Sequence, residues 1–252
     1  MFGFPVEIHA TFLILLIFIF DSGLSLLAIA LWTAAILTSV ILHELGHAVT
    51  VRRFRGNVEG IRIYALGGVT IWTERDAPIK GWRRFLVAAS GSGVGLAIGL
   101  ALYGLVELGA LGTNARSFIR APWTVDLFGA DFQGEYVVFF IGAFIWVSVV
   151  WGLVNWLPIG GLDGSKMLRV VMMGVLGPRG DLPSRVIGLV VAFGASYWLY
   201  QRGSVIGPVI LIMFAFSDLA AYQRHPPAQT YYPPPDAEGR YAVDPSHHEE
   251  SE

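Results

Sequence analysis

Cysteine is absent from this chain, and charge is scarce. Lys, Arg, Asp and Glu together make up 14% of 252 residues. Without cysteine there is no disulfide framework, no thiolate metal site and no indication of redox compartment. Soluble domains carry about 25% charged and roughly 45–50% apolar residues. Here the apolar share is 54%, so most of the chain has no need to face water. One polytopic membrane domain in a lipid bilayer accounts for the length. A net charge of −2 supplies no basic surface, so nucleic acid is not expected as a partner. The opening "MFGFPVEIHATFLILLIFIF" has no basic n-region and no small-residue cleavage site after its apolar run. It reads as a retained segment rather than a signal peptide.

A spanning helix needs about 20 mostly apolar residues. Ile8 to Phe20 is a short candidate, ended by Asp21-Ser22-Gly23, and Leu24 to about Val51 is a long second one. Phe85 to about Leu108, Tyr136 to Leu157, Val186 to Tyr200 and Val205 to Tyr222 follow, with a short amphipathic helix over Lys166 to Leu176. Between the second and third spans, Val, Ile and Thr surround Gly67-Gly68, which suggests a β-hairpin. The expected fold is therefore an all-α membrane protein. It has about six transmembrane helices and a small membrane-associated β-hairpin or sheet between helices two and three. Residues 1–222 form that domain, with a core over about 24–176, and 223–252 form a Pro-rich disordered tail. Gly91, Gly95 and Gly99 recur at four-residue spacing in the third span, a pattern that lets helices pack closely in lipid.

Lys and Arg set orientation. Arg52, Arg53, Arg55, Arg62, Arg75, Lys80, Arg83 and Arg84 fill the loop after the second span, and Lys166, Arg169, Arg179 and Arg185 follow the fourth. The loop between the third and fourth spans holds only Arg116 and Arg120. The expectation is a multi-pass protein of the inner or plasma membrane, with both termini and the site described next on the cytoplasmic side.

That site starts from "HELGH", His43 to His47, inside an apolar helix. Residues four apart share a helical face, so His43 and His47 can hold one zinc ion. Glu44, one residue round, can reach a water on the metal and act as general base. Gly46 keeps one side of the helix slim, which would leave room for a substrate backbone. Ionisable residues at membrane depth are costly and mostly functional; the alternative is an interfacial helix end facing headgroups.

Two ligands are too few, because catalytic zinc usually has three protein ligands and an open position. Of six histidines, none outside the motif lies in the core, so a carboxylate is the better third ligand. Asp163 in "LPIGGLDGSK" is best placed. Asp218 is a weaker competitor that reads as a structural polar contact, and Glu107 and Glu135 lie toward the opposite face. Pro158, Gly160, Gly161 and Gly164 break the helix around Asp163. Non-helical backbone at that depth lines a cavity or is buried in protein; a plain loop at the cytoplasmic surface is the equal alternative.

His43-Glu44-Leu45-Gly46-His47, Leu162-Asp163-Gly164 and Asn155-Trp156-Leu157-Pro158 together resemble the site-2 protease family of intramembrane zinc metalloproteases. Gly67-Gly68-Val69 is similar to that family's membrane-associated hairpin, and "PVEIHATFLILL" to the start of many members. The resemblance covers roughly Pro5 to Leu176. It implies one zinc ion per chain on His43, His47 and Asp163, with Glu44 as general base. It also implies that Asn155 donates to the substrate carbonyl or its oxyanion, a contact worth ~3 kcal/mol, unless Asn155 bonds a neighbouring helix instead. The implied activity is hydrolysis of a peptide bond in or near the transmembrane segment of a single-span membrane protein, such as an anti-sigma factor or similar tethered regulator. The sequence departs from the family where many members carry Gly-Pro-x-x-Asn, since Gly91-Ser92-Gly93-Val94-Gly95 has neither the proline nor the asparagine. No loop is long enough for a PDZ-like insertion. A metal transporter or metal-binding membrane protein using the same residues, and a silent scaffold, are the other classes; oligomeric state is not encoded.

Overall fold

The computed structural model describes residues 3–12, 26–64, 67–74, 78–109 and 136–224. In chain order the elements are β1 (Val6–Ile8), α1 (Leu26–Arg53), β2 (Asn57–Tyr64), β3 (Gly67–Thr73), α2 (Trp82–Glu107), α3 (Tyr136–Asn155), α4 (Asp163–Leu176), α5 (Asp181–Gln201) and α6 (Ile206–Arg224). Four stretches are long and apolar enough to cross a bilayer: α1, α2, α3, and the α4–α5 run joined by a 3-10 turn at Gly177–Gly180. The chain is thus a multi-pass membrane protein. The apolar part of α6, Ile206–Ala220, is shorter. The expected first span lies mostly outside the described residues, so the count of six is not reached among them. The residues from 225 onward, the bulk of the expected tail, also lie outside.

The hairpin is part of a three-stranded sheet in the order β1-β2-β3. Ile8, expected at the head of a helix, instead ends β1, which pairs in parallel with β2 from Val6↔Ile61 to Ile8↔Ile63. β3 runs antiparallel to β2, with Ile61↔Thr70 and Ile63↔Gly68 as partners. A register shift between Val58 and Gly60 moves the buried set of β2 from Val58 and Gly60 to Ile61 and Ile63. A bulge does this because side chains alternate with a strict period of two. Ile61 and Ile63 then pack with Val51 of α1, Ile79 and Val87 of α2, tying the sheet to the helices that carry the site.

Small residues decide how the helices meet. On α5, Ser184, Gly188, Ala192 and Ser196 recur every four residues and are all buried. The large residues Val190 and Tyr197 stay 66% and 67% exposed, as suits a face in contact with lipid. A Cβ on Gly46 of α1 would lie 2.6 Å from the Ser90 carbonyl oxygen of α2. The space expected to receive a substrate backbone at Gly46 is therefore already filled by α2. Gly99 serves close packing as expected: a Cβ there would lie 2.9 Å from Val149 of α3.

Between α4, α5 and α6 lie four charged side chains. Arg169 Nε is 2.9 Å from Asp181 Oδ1, and Arg169 Nη2 is 3.0 Å from Asp218 Oδ1. Arg185 Nε reaches Asp181 at 3.1 Å and its Nη1 reaches Asp218 at 2.8 Å. Asp218 is thus a structural partner and not a third metal ligand. Removing one member strands an opposite charge in a buried setting. Asp181→Ala is expected to destabilise the protein by about 3 kcal/mol, read from its denaturation midpoint in detergent, with Asp218 limiting the loss.

Candidate metal centre

His43 and His47 sit one turn apart on α1, so their rings converge, with Nε2 atoms 3.1 Å apart. Asp163 opens α4, where a carboxylate suits the positive helix end. The chain reaches it through a buried turn. Gly161 has φ +84°, a left-handed conformation open to glycine, and a Cβ on Gly164 would overlap the Trp156 and Leu157 carbonyl oxygens. Gly160 packs beneath Phe214 and Asp218 of α6, and the Pro158 carbonyl lies over Gly188 of α5. The helix-breaking residues therefore place Asp163 inside the protein and beside a cavity, the first of the two readings open from sequence.

Asp163 Oδ2 lies 3.0 Å from both imidazole Nε2 atoms, and its Oδ1 accepts a hydrogen bond from Lys166 Nζ at 3.0 Å. His47 Nδ1–H donates to the Val87 carbonyl at 2.6 Å. That bond places the proton on Nδ1 and leaves the Nε2 lone pair facing the other two atoms. Two nitrogens and one carboxylate oxygen thus form a triangle with edges of 3.0, 3.0 and 3.1 Å. Ligand atoms around a tetrahedral zinc with bonds of about 2.0–2.1 Å are roughly 3.3 Å apart. The donor set and its spacing fit that ion, and a cation relieves the mutual repulsion of the converging lone pairs.

Glu44 is 4% exposed and points to a different side. Its Oε2 accepts a hydrogen bond from Thr70 Oγ1 of β3 at 2.7 Å, and a Cβ on Gly68 would lie 2.8 Å from its Oε1. His43, Glu44 and His47 together can gather ligand atoms within 4.8 Å. All of these residues line one cavity of about 900 Å³, with Asn155, Lys80, Arg84, Arg169 and Asp181 also on its wall. Asn155 is buried, and its Nδ2 donates to the Trp151 carbonyl at 3.1 Å, within its own helix rather than to a neighbour. Just before it, Val147–Trp151 forms a π-helical turn, and Ser148 in that turn bonds Ser39 of α1 at 3.0 Å.

Three positions escape the sequence. A Cβ on Gly91 would overlap His47 Nε2 and come 2.8 Å from His43 Nε2. Its place in the Gly-x-x-x-Gly stripe signals close packing but cannot say that the neighbour is a pair of imidazoles. Thr70 and Lys166 bind Glu44 and Asp163 directly; the strand alternation that gives Thr70 the same face as Gly68 was the available hint.

The fold is shared with the site-2 protease of Methanocaldococcus jannaschii: TM-score 0.54 at 21% identity, covering 89% of this chain and 91% of that one. A zinc metalloprotease of the same organism is 26% identical over 174 residues, 68% of this chain and 43% of that protein. Rip3 of Mycobacterium tuberculosis, provisionally named a zinc metalloprotease, is 26% identical over 246 residues, 87% of this chain and 55% of that protein. The chain thus spans about half the length of these curated relatives. Residues 31–198, which hold both histidines, Glu44, Asn155 and Asp163, match Peptidase family M50. A match over that much of the chain places it plainly: this protein belongs to peptidase family M50.

Proposed function

We propose that this protein is an intramembrane zinc endopeptidase that hydrolyses a peptide bond in or near the transmembrane segment of a single-span membrane protein. The observation that carries the proposal is the triangle of His43, His47 and Asp163 beside Glu44, in a cavity among apolar helices. His43, His47 and Asp163 hold one zinc ion per chain. When bound there, zinc supplies Lewis acidity, making water ionisable near neutral pH and polarising a carbonyl. Glu44 takes the proton of the attacking water and delivers it to the leaving amine nitrogen as the C–N bond breaks. The Asn155 amide has two N–H groups. One is spent on Trp151, which orients the group, and the second is available to the carbonyl oxygen as it gains charge.

A helical substrate shields its amides and must unwind to be cut. β3 has a sheet neighbour on one side only, and it lines the cavity, which makes its outer edge the receptor for an extended substrate strand. Lys and Arg on both site-proximal loops favour a cytoplasmic site. A membrane-tethered regulator such as an anti-sigma factor fits that placement as substrate. The test pairs co-expression with candidate single-span proteins and metal analysis of the purified protein. Wild type should release a fragment and contain one zinc per chain; His43→Ala should do neither. Wild-type protein without stoichiometric metal at neutral pH would sink the proposal.

A further inference from the structure

Glu44 is held from the sheet as well as from its own helix. Thr70 Oγ1 is 2.7 Å from Glu44 Oε2 and 3.0 Å from the Glu44 backbone carbonyl. A hydroxyl has one proton and so serves one of these acceptors at a time. Gly68, two residues earlier on the same face of β3, closes against the rest of the carboxyl group: its absent side chain is what admits Glu44 Oε1 and Cγ. Oε1 meets no hydrogen-bond donor among the described residues. One carboxylate oxygen is thus fixed and the other is left open toward the cavity.

From this geometry we infer that Thr70 is a positioning residue for the base. Its hydroxyl anchors Oε2, so that Oε1 is the oxygen that takes the proton. The anchor sits on a strand whose position depends on its pairing. β3 is bonded to β2 through Gly67↔Tyr64 to Asn57↔Thr73 and has no strand on its other side among the described residues. A substrate strand seated there stiffens β3 and, through Thr70, the carboxylate. The base is therefore fully ordered only when substrate is paired. This step rests on the proteolytic reading above. The tether itself does not, and Thr70 touches none of the three proposed zinc ligands.

The test uses the full chain in detergent or liposomes, with the cleaved single-span protein as substrate. Thr70→Val keeps the shape and removes the hydroxyl; Thr70→Ser keeps the hydroxyl and removes the methyl. Thr70→Val should lower kcat about tenfold or more with KM changed less than about twofold, and Thr70→Ser should restore most of the rate. Zinc should remain at one per chain in both. A second readout does not need turnover: hydrogen exchange across Gly67–Thr73 should quicken at least about threefold in Thr70→Val and stay near wild type in Thr70→Ser. Equal kcat and equal exchange in Thr70→Val overturn the inference. So does zinc loss in that variant, or a Thr70→Ser as impaired as Thr70→Val. If wild type cleaves nothing while exchange still follows the hydroxyl, the proteolytic reading and the positioning role both fail, and only the tether between β3 and α1 stands.

Discussion

Glu44→Gln is expected to slow substrate cleavage by about 10²–10⁴-fold while zinc stays at one per chain. Glutamine matches glutamate in shape, and its side-chain oxygen can still accept from Thr70, so the contact at 2.7 Å survives. What it cannot do is take a proton from water. The expected signature is therefore a fall in kcat with metal content and KM nearly unchanged, as befits a group that acts only in the transition state. Cleavage rates of purified enzyme, paired with elemental analysis of the same samples, make the measurement. Activity within tenfold of wild type would remove Glu44 as the base. Loss of zinc with activity would move Glu44 into the ligand set, which its closeness to His43 and His47 permits.

Gly91→Ala should cost the metal itself. The new methyl group would overlap His47 Nε2, the atom that faces both His43 and Asp163. The ring cannot simply swing aside, since its Nδ1–H is bonded to Val87 of the same α2 helix. Nor can the helices part cheaply, because Gly46 has brought α1 down onto the Ser90 and Gly91 backbone. Over-packing of this kind typically costs about 1–3 kcal/mol. Expressed at the ligands, it should weaken zinc binding roughly 10–100-fold, as disturbed support of a ligand usually does. Gly93→Ala is the control, because a Cβ there meets nothing within 4 Å. A competition titration against a zinc chelator on both variants decides the matter: if they bind zinc equally, Gly91 is only a packing residue.

Much of the centre was legible because its chemistry is periodic. Histidines four apart on an apolar helix meet whatever the fold, and an aspartate amid helix breakers at membrane depth has few bland uses. Strand β3 announced itself through its branched residues around Gly67-Gly68. What stayed hidden depends on partners distant in the chain. β1 is three residues long and gains its identity from Ile61 to Ile63, so the apolar run containing it reads as helix. Gly91 and Gly99 look alike in sequence, yet one admits imidazoles and the other a valine. Thr70 is an ordinary strand residue until the sheet is laid against α1. Asp218 had the composition of a ligand, and only its two arginine partners remove it from the set.

The π-helical turn at Val147–Trp151 has a consequence for how many residues the helix contains, apart from which ones. Each residue of an α-helix advances about 100°, and a π turn accommodates one residue more than the regular spiral would. Ser148 uses the turn to face Ser39, while Asn155, seven residues on, lines the cavity. Deleting one residue from the turn would restore the regular spiral and swing everything after it by about 100°, Asn155 included, without touching a single side chain in the cavity wall. The azimuth of that amide is thus written in a residue count, and an insertion or deletion there changes the site as surely as a substitution within it.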